Sequence, residues 1–442
     1  MKSRQITYTQ ILTRDIFVFL NEKVPYAVLR NYESLPWENP SRDIDIIIRK
    51  NDFKKIRNGL IDMIKTAGWN IVIYLNSDRL ITFVCGIVKE NKVEMIQWDF
   101  FFNTSVYGIL LMDANDFLEE RIFNGELYHV SKSCEFLDKF LYLKVLGQSY
   151  PEKYNDIKAI VTEDPTVINK LKSIFYDKSV DKIDNISGNK LLMQALLVNL
   201  KKRPLRLVAG MSRFWVSYMR NYICSNTGFS IGFTGPDGAG KTTIIQLLHK
   251  KISPIFATAA VSYHFRPALL PNLGEVAHDI GIKKDVDRDY CNPHRSNKTG
   301  ILSSSARLLY YSIDYIWGYF VRVKSQTRIT RLVIFDRYYS DIICDSRRSR
   351  IYLNYKFLYW FGKVFIPSLN YNILLTADAD IILARKQELD RKEINSINER
   401  IDYLAGKSGF YKIKNETVPE NAVGTILNFI FDTQHTKNLK KL

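Results

Sequence analysis

The stretch Phe229-Ser-Ile-Gly-Phe-Thr-Gly235-Pro-Asp-Gly-Ala-Gly240-Lys241-Thr242-Thr243-Ile-Ile-Gln-Leu-Leu-His-Lys250 decides how the second half of the chain folds. Phe229–Thr234 is a short apolar run that reads as a buried strand, and Thr242–Lys251 has helical spacing. Between them Gly235–Thr242 fits the pattern GxxxxGK[ST]. Each part has a physical task. Gly235, Gly238 and Gly240 let backbone N–H groups turn inward onto phosphate oxygens, which a Cβ would obstruct. The N-terminus of the following helix adds positive dipole. Lys241 reaches the β- and γ-phosphates, and the Thr242 hydroxyl holds Mg²⁺, with Thr243 beside it. The pattern therefore calls for ATP and Mg²⁺ as cofactors.

Strand and helix patterns alternate from here to residue 435. Ala259–Phe265, Leu332–Phe335, Asn372–Thr376 and Phe410–Lys414 read as strands. Ser303–Lys324, Ala379–Glu388, Ile394–Ala405 and Pro419–Phe431 read as helices. Such alternation predicts an α/β fold, with a parallel sheet covered by helices on both faces. In Leu332-Val-Ile-Phe-Asp336-Arg337 an acid ends a buried strand, where ligands of open α/β sheets sit. Asp336 is a candidate for the Mg²⁺ shell or for accepting the proton of an attacking group, and Arg337 for clamping an anion. Arg385 and Arg391, within Ala384–Lys392, are placed to close over nucleotide phosphates, although a run of mixed charge is commonly a solvated helix face. His264 and Arg266, after the second strand, offer another acceptor contact, although a lone His–Arg pair in a loop is more often structural.

These motifs together resemble the thymidylate kinase-like branch of the P-loop kinases over roughly residues 226–435. The resemblance implies that Asp237, the acid inside the loop, orients the acceptor. It also implies that Asp336 and Arg337 form the family's DR pair and that Arg385 and Arg391 match lid arginines. The polar segment that follows the DR pair in true thymidylate kinases is missing, and Tyr338–Arg348 stands in its place. That fuller pattern is similar to the long thymidylate kinase-like proteins of bacterial surface-polysaccharide gene clusters, which implies a sugar or glycan acceptor.

In the first half, Asp43-Ile-Asp45 enters the apolar run Ile46-Ile-Ile48. On a strand, acids at i and i+2 point to one face and can chelate one metal. Asp99, in Met95–Phe101, is placed to join them from a neighbouring strand, and a two-metal site there would both activate a nucleophile and hold a triphosphate. Residues 20–145 resemble the polymerase-β-type nucleotidyltransferases, with Asp43, Asp45 and Asp99 as the metal-binding acids. The family's Gly-Ser pair before the acids is replaced by Val28-Leu-Arg30-Asn-Tyr32. Helix 14–21 and strands at 26–29, 44–48, 70–75, 81–88 and 93–101 are expected, with a helix over 52–66.

The chain has 442 residues, 46% hydrophobic and 25% charged, which excludes a largely disordered chain. Its formal charge of +17 favours anionic partners. Five scattered cysteines suggest neither a zinc ribbon nor a disulfide framework. Arg14 and Asp15 interrupt the first apolar run, so no signal peptide is expected. No run reaches the ~18 apolar residues of a spanning helix, because Asp314 breaks one aromatic stretch and Lys363 and Pro367 break the next. A cytoplasmic protein is expected. Residues 201–222 place Leu207, Met211, Phe214, Trp215, Tyr218 and Tyr222 on one helical face and Lys202, Arg206, Arg213 and Arg220 on the other. Such a helix rests either on a neighbouring domain or on the anionic inner face of a membrane.

The expected organisation is a nucleotidyltransferase-like α+β domain over 1–130, a helical segment and basic linker over 131–225, and a P-loop kinase domain over 226–442. The expected function is ATP- and Mg²⁺-dependent phosphoryl transfer to a sugar or glycan hydroxyl in polysaccharide biosynthesis, with an N-terminal module of open activity. The alternatives are a thymidylate-type nucleoside monophosphate kinase and a non-enzymatic nucleotide- or nucleic-acid-binding protein. No recognisable nucleic-acid module supports the last.

Overall fold

The computed structural model describes residues 6–39, 41, 43–90, 92–175, 180–224, 227–252, 260–271 and 300–442. Arg42, Ala259 and Cys291, and the side chain of Cys224, lie outside the described residues. The chain forms two compact units. One comprises Met1–Ile87, Glu94–Ser225 and Phe431–Leu442, and the other Val88–Val93 and Asn226–Ile430. The helical stretch 131–225 thus clusters with the first unit.

The strands of the first unit are β1 (Tyr26–Val28), β2 (Asp43–Ile48), β3 (Asn70–Asn76), β4 (Leu80–Lys89), β5 (Lys92–Phe101), β6 (Asn103–Val106), β7 (Ile109–Asp113), β8 (Ile122–Phe123) and β9 (Tyr128–His129). A mixed sheet runs β3-β4-β5-β2-β1-β9-β8. The period-2 alternation of β2 sorts its two faces. Ile44, Ile46 and Ile48 join a core with Leu12, Ile16, Phe53 and Leu60, from helices Tyr8–Lys23 and Lys50–Thr66. Ile47 joins a second core with Phe136 and Phe140 of helix Lys132–Val145. Asp43 and Asp45 share the parity of Ile47 and so face that second side.

The first helix is longer than expected because Thr7 and Gln10 cap it reciprocally. Arg14 and Asp15, which interrupt the apolar run, lie on its outer face and pair with each other. The hairpin β6–β7 was not foreseen. Its turn, Tyr107-Gly108, has φ of 52° and 82°, the doubly positive geometry of tight hairpins. Helix Pro204–Cys224 crosses that turn backbone to backbone. A Cβ on Gly210 would lie 2.4 Å from the Gly108 carbonyl oxygen, so the close crossing requires glycine.

In the second unit β10 (Phe229–Thr234), β11 (Val261–His264), β12 (Leu332–Asp336), β13 (Tyr371–Thr376) and β14 (Phe410–Lys414) form a sheet in the order β11-β12-β10-β13-β14. Every pairing is parallel. Helices cover both faces, as the alternating pattern predicted. Every residue of β10 and β13 is buried, which is why both read as continuous apolar runs.

Helices Tyr339–Cys344 and Tyr355–Phe365 escaped the sequence reading. Tyr339–Cys344 is too short for a period to show. Tyr355–Phe365 is capped by Asn354, whose Oδ1 accepts from Lys356 N at 2.9 Å. The last helix continues past Phe431 to Leu439. There the Asn438 amide donates to the carbonyls of Ile71 and Val72 at 3.1 and 2.9 Å, and His435 Nδ1 accepts from Ile71 N at 2.9 Å. Those polar contacts carry no hydrophobic period, so the extension was not legible.

Candidate functional site

From β10 the chain runs first to β11 and β12 on one side of it and then crosses to β13 and β14 on the other. The loop Gly235–Gly240 therefore emerges where the strand order reverses, the crevice position of open parallel sheets. Gly238 and Gly240 both have φ of 88°. A Cβ on Gly235 would stand 2.3 Å from Leu375 O, and one on Gly240 2.4 Å from Asn415 Nδ2. Asn415 Nδ2 also donates to Ala239 O at 2.9 Å, pinning the loop from the far side. Helix Lys241–Ile252 begins directly after it. Lys241 is 6% exposed, and its Nζ donates to the carbonyls of Gly235 and Pro236 at 2.8 and 2.9 Å. Burial, reinforced by Arg337, lowers its pKa to about 8, against the pull of Asp237, Asp341 and Asp336.

β12 brings the second cluster alongside, since Phe233 is in register with Asp336. Asp336 Oδ1 is buried with no hydrogen-bond partner, and Oδ2 lies 3.6 Å from His264 Nδ1. Burial would raise the Asp336 carboxyl, but His264, Lys241 and Arg337 together hold it below its ordinary value. Arg337 is buried at φ 79°, in the left-handed region that costs a non-glycine residue energy. Its guanidinium is locked by Asp237 at 2.5 Å and Asp341 at 2.6 Å. Arg348 grips the other oxygen of Asp237. Both Asp237 oxygens therefore carry arginines.

These groups line a cleft of about 580 Å³. Among the predicted residues it gathers Asp237, Gly238, Gly240, Lys241, Thr242, Thr243, Asp336, Arg337 and Arg385. Gly235 lies beneath them in the loop. Arg385 Nη1 donates to Asn415 O at 2.9 Å, which anchors it at the cleft edge. Arg391 is not brought there. It starts the next helix, is largely exposed and pairs with Asp380. The sequence reading missed Arg348 as a cleft cation, whereas Lys386, within the Ala384–Lys392 run expected to close over phosphates, lines the cleft as well. Arg348 reaches the loop through a short helix, Ser346–Ser349, that only the Asp345 cap before it signals. The orphaned Asp336 Oδ1, the Thr242 hydroxyl and a glycine cradle that a Cβ would block all fit a Mg²⁺-bound triphosphate. Arg266 proves structural, as the plainer reading held. It forms a buried pair with Asp314 at 3.0 Å.

In the first unit Asp45 is in parallel register with Asp99, and Asp43 stands two residues before Asp45 on the same face. Carboxylate oxygens of Asp43, Asp45 and Asp99 lie within 4.8 Å of one another, the one such cluster among the described residues. Burial pushes the Asp99 carboxyl up to about 6, although Thr82 and Gln97 donate to it. Asp43 is raised by burial and by Asp45. Arg30 Nε donates to Asp45 at 2.5 Å and Arg30 Nη1 lies 3.7 Å from Asp138. A cavity of about 400 Å³ opens on Asp43 and Asp45, with Arg30, Arg79, Lys139 and Lys153 around it. Its all-oxygen donors suit a hard divalent cation, and the cations suit a phosphate tail.

Helix Pro204–Cys224 packs Leu207 and Met211 on the core of the first unit. Trp215, Tyr218 and Tyr222, further along the same stripe, are exposed. No helix among the described residues is long and apolar enough to cross a membrane.

No protein-family model matches the sequence, and no curated protein matches it. Among solved structures it is similar to a thymidylate kinase from Candida albicans, at 20% identity and a TM-score of 0.32, over 47% of this chain and 93% of that one. It is also similar to a thymidylate kinase from Ehrlichia chaffeensis, at 15% identity and a TM-score of 0.31, over 46% of this chain and 98% of that one. Likeness at this level assigns no residue a role.

Proposed function

We propose that the second unit is an ATP- and Mg²⁺-dependent P-loop kinase that phosphorylates a hydroxyl of a sugar or glycan. The observation that carries the kinase reading is the Gly235–Gly240 cradle, opening on a helix N-terminus and flanked by Lys241, Arg337, Arg348 and Arg385. The γ-phosphorus–oxygen bond to ADP breaks as a bond to the acceptor oxygen forms, and the acceptor proton leaves to Asp336 or solvent. Asp336 is ionised at neutral pH, because neighbouring cations hold its carboxyl low. Bound Mg²⁺ would neutralise charge on the β- and γ-oxygens. Lys241 and Arg337 hold the phosphates in line, and Asp237 keeps Arg337 and Arg348 aimed at the cleft. Helix Tyr339–Cys344 supports a non-nucleotide acceptor. It is wholly buried and turned inward: Ser340 bonds Thr234, Tyr339 bonds Leu358, and one Asp341 oxygen accepts from Arg337 while the other has no partner among the described residues. That leaves charges and carboxylates in the cleft, groups that read hydroxyls.

The test is to incubate the protein with ATP labelled at the γ-phosphate and a panel of nucleotides, free sugars and lipid-linked glycans. Label should pass to a glycan acceptor, and Lys241→Ala should abolish transfer while the circular dichroism spectrum holds. Full transfer by Lys241→Ala protein would refute the kinase reading. Efficient labelling of dTMP with indifference to sugars would establish the nucleoside monophosphate kinase alternative.

The carboxylate cluster favours a second reading for the first unit, metal-assisted nucleotidyl transfer. Asp43, Asp45 and Asp99 would hold the metal, which would activate the attacking group, while Arg30 engages phosphate. Pyrophosphate release that survives Asp43→Asn with Asp45→Asn would exclude it.

A further inference from the structure

The second unit carries a surface that phosphoryl transfer does not use. Helix Tyr355–Phe365 buries only Leu358 and Gly362. It presents Phe357, Trp360, Val364 and Phe365, each 44–56% exposed. Its charged residues are Lys356 and Lys363, both exposed, and residues 351–370 contain no acid. Helix Ile301–Gly318 repeats the design. It buries Ser304, Leu308, Ser312 and Tyr315 on one face. On the far face Leu302, Leu309, Ile313 and Trp317 stand exposed at helical spacing, and Phe320 continues the line. Its one acid, Asp314, is 0% exposed and fully engaged by Arg266 and by the N–H groups of Ala268, Leu269 and Leu270. The two helices are neighbours across one ring. Tyr315 packs edge-on to Tyr339 at 5.8 Å, and the Tyr339 hydroxyl donates to Leu358 O at 2.9 Å.

Among the described residues of these two helices the apolar, aromatic face is edged by lysine and shows no exposed acid, and such a face selects its partner by charge. A second copy packed through the same faces would set the lysines of helix Tyr355–Phe365 against each other. An anionic bilayer offers apolar depth and negative headgroups together, and tryptophan favours that boundary. We propose that the exposed faces of helices Ile301–Gly318 and Tyr355–Phe365 lie on an anionic lipid bilayer, as an interfacial and not a spanning contact. The inference does not rest on the kinase reading.

Cosedimentation of the full chain with vesicles tests it. Vesicles of equal parts phosphatidylcholine and phosphatidylglycerol should bind the protein, and phosphatidylcholine alone should bind it far less. Trp317→Ser with Trp360→Ser should weaken binding at least ~10-fold. Lys356→Glu with Lys363→Glu should weaken it by about 100-fold or more. All four sites are exposed, and an unchanged melting temperature would show that the variants fold. Lys201→Glu with Lys202→Glu, in the other unit, should change little. Equal binding to both vesicles, or undiminished binding by the first two variants, overturns the proposal. So does a concentration-dependent dimer in sedimentation velocity that those variants dissolve, or loss of binding only in the Lys201 and Lys202 variant.

Discussion

Lys241 sits where burial and ligand binding pull apart. Its folded-state pKa of about 8 lies below the ordinary 10.5. Below about pH 8 both folded and unfolded states are protonated, and the cost of a buried cation is fully present. That cost is roughly 3 kcal/mol. Between those pKa values the folded state releases its proton first, the unfolded state binds more protons, and stability rises with pH. Lys241→Met removes the titrating group. Without nucleotide, the wild type's melting temperature should therefore gain on that of Lys241→Met between pH about 7.5 and about 9.5. Parallel shifts in the two proteins would show that burial is not what depresses this lysine. The place of Lys241 in the cleft was legible because a fixed spacing ties it to the glycines. Arg348 was not, because its contact with Asp237 spans more than a hundred residues of chain, and no local pattern encodes such a pair. Arg391 misled for the converse reason. The family resemblance suggested a lid, but a capping box formed by Asp390 and Glu393 makes Arg391 an ordinary first-turn residue.

At the scale of elements, the strands were read well where both faces are buried and poorly where polar contacts set the boundary. β10 and β13 are unbroken apolar runs, so their existence needed no partner. The end of the last helix depends on Asn438 meeting two carbonyls of β3, which no periodicity announces. Asp314 appeared in the sequence only as a break in an aromatic run. In the fold it ties helix Ile301–Gly318 to the segment that follows β11, through Arg266 and three backbone N–H groups. Removing one member of such a buried pair leaves an uncompensated charge. Asp314→Ala should therefore cost about 3–5 kcal/mol, measured by urea unfolding, and Asp314→Asn less, since it retains an acceptor. Because His264 lies two residues before Arg266, the same substitution should also loosen His264 from Asp336 and weaken nucleotide binding. A variant as stable as the wild type would mean that the pair is not what holds this segment.

Across the whole molecule, each unit has a core of its own. Separate cores predict separate calorimetric transitions, so one unfolding free energy does not describe the chain. ATP with Mg²⁺ at a hundred times its dissociation constant should stabilise the unit that binds it by about 2.7 kcal/mol. For a unit of this size that raises its transition by roughly 5–10 °C. The other transition should not respond to the Gly235–Gly240 loop. Lys241→Ala should erase the nucleotide shift, whereas Asp43→Asn with Asp45→Asn should leave it intact. Conversely, Mn²⁺ alone should raise the first unit's transition through the three carboxylates, and the Asn variant should lose that rise. The Mn²⁺ effect should grow as pH climbs through about 6, because Asp99 must shed its proton before it can ligate. Two transitions that move together with either ligand, and fall together with either variant, would show one cooperative body and would undo the assignment of two independent sites.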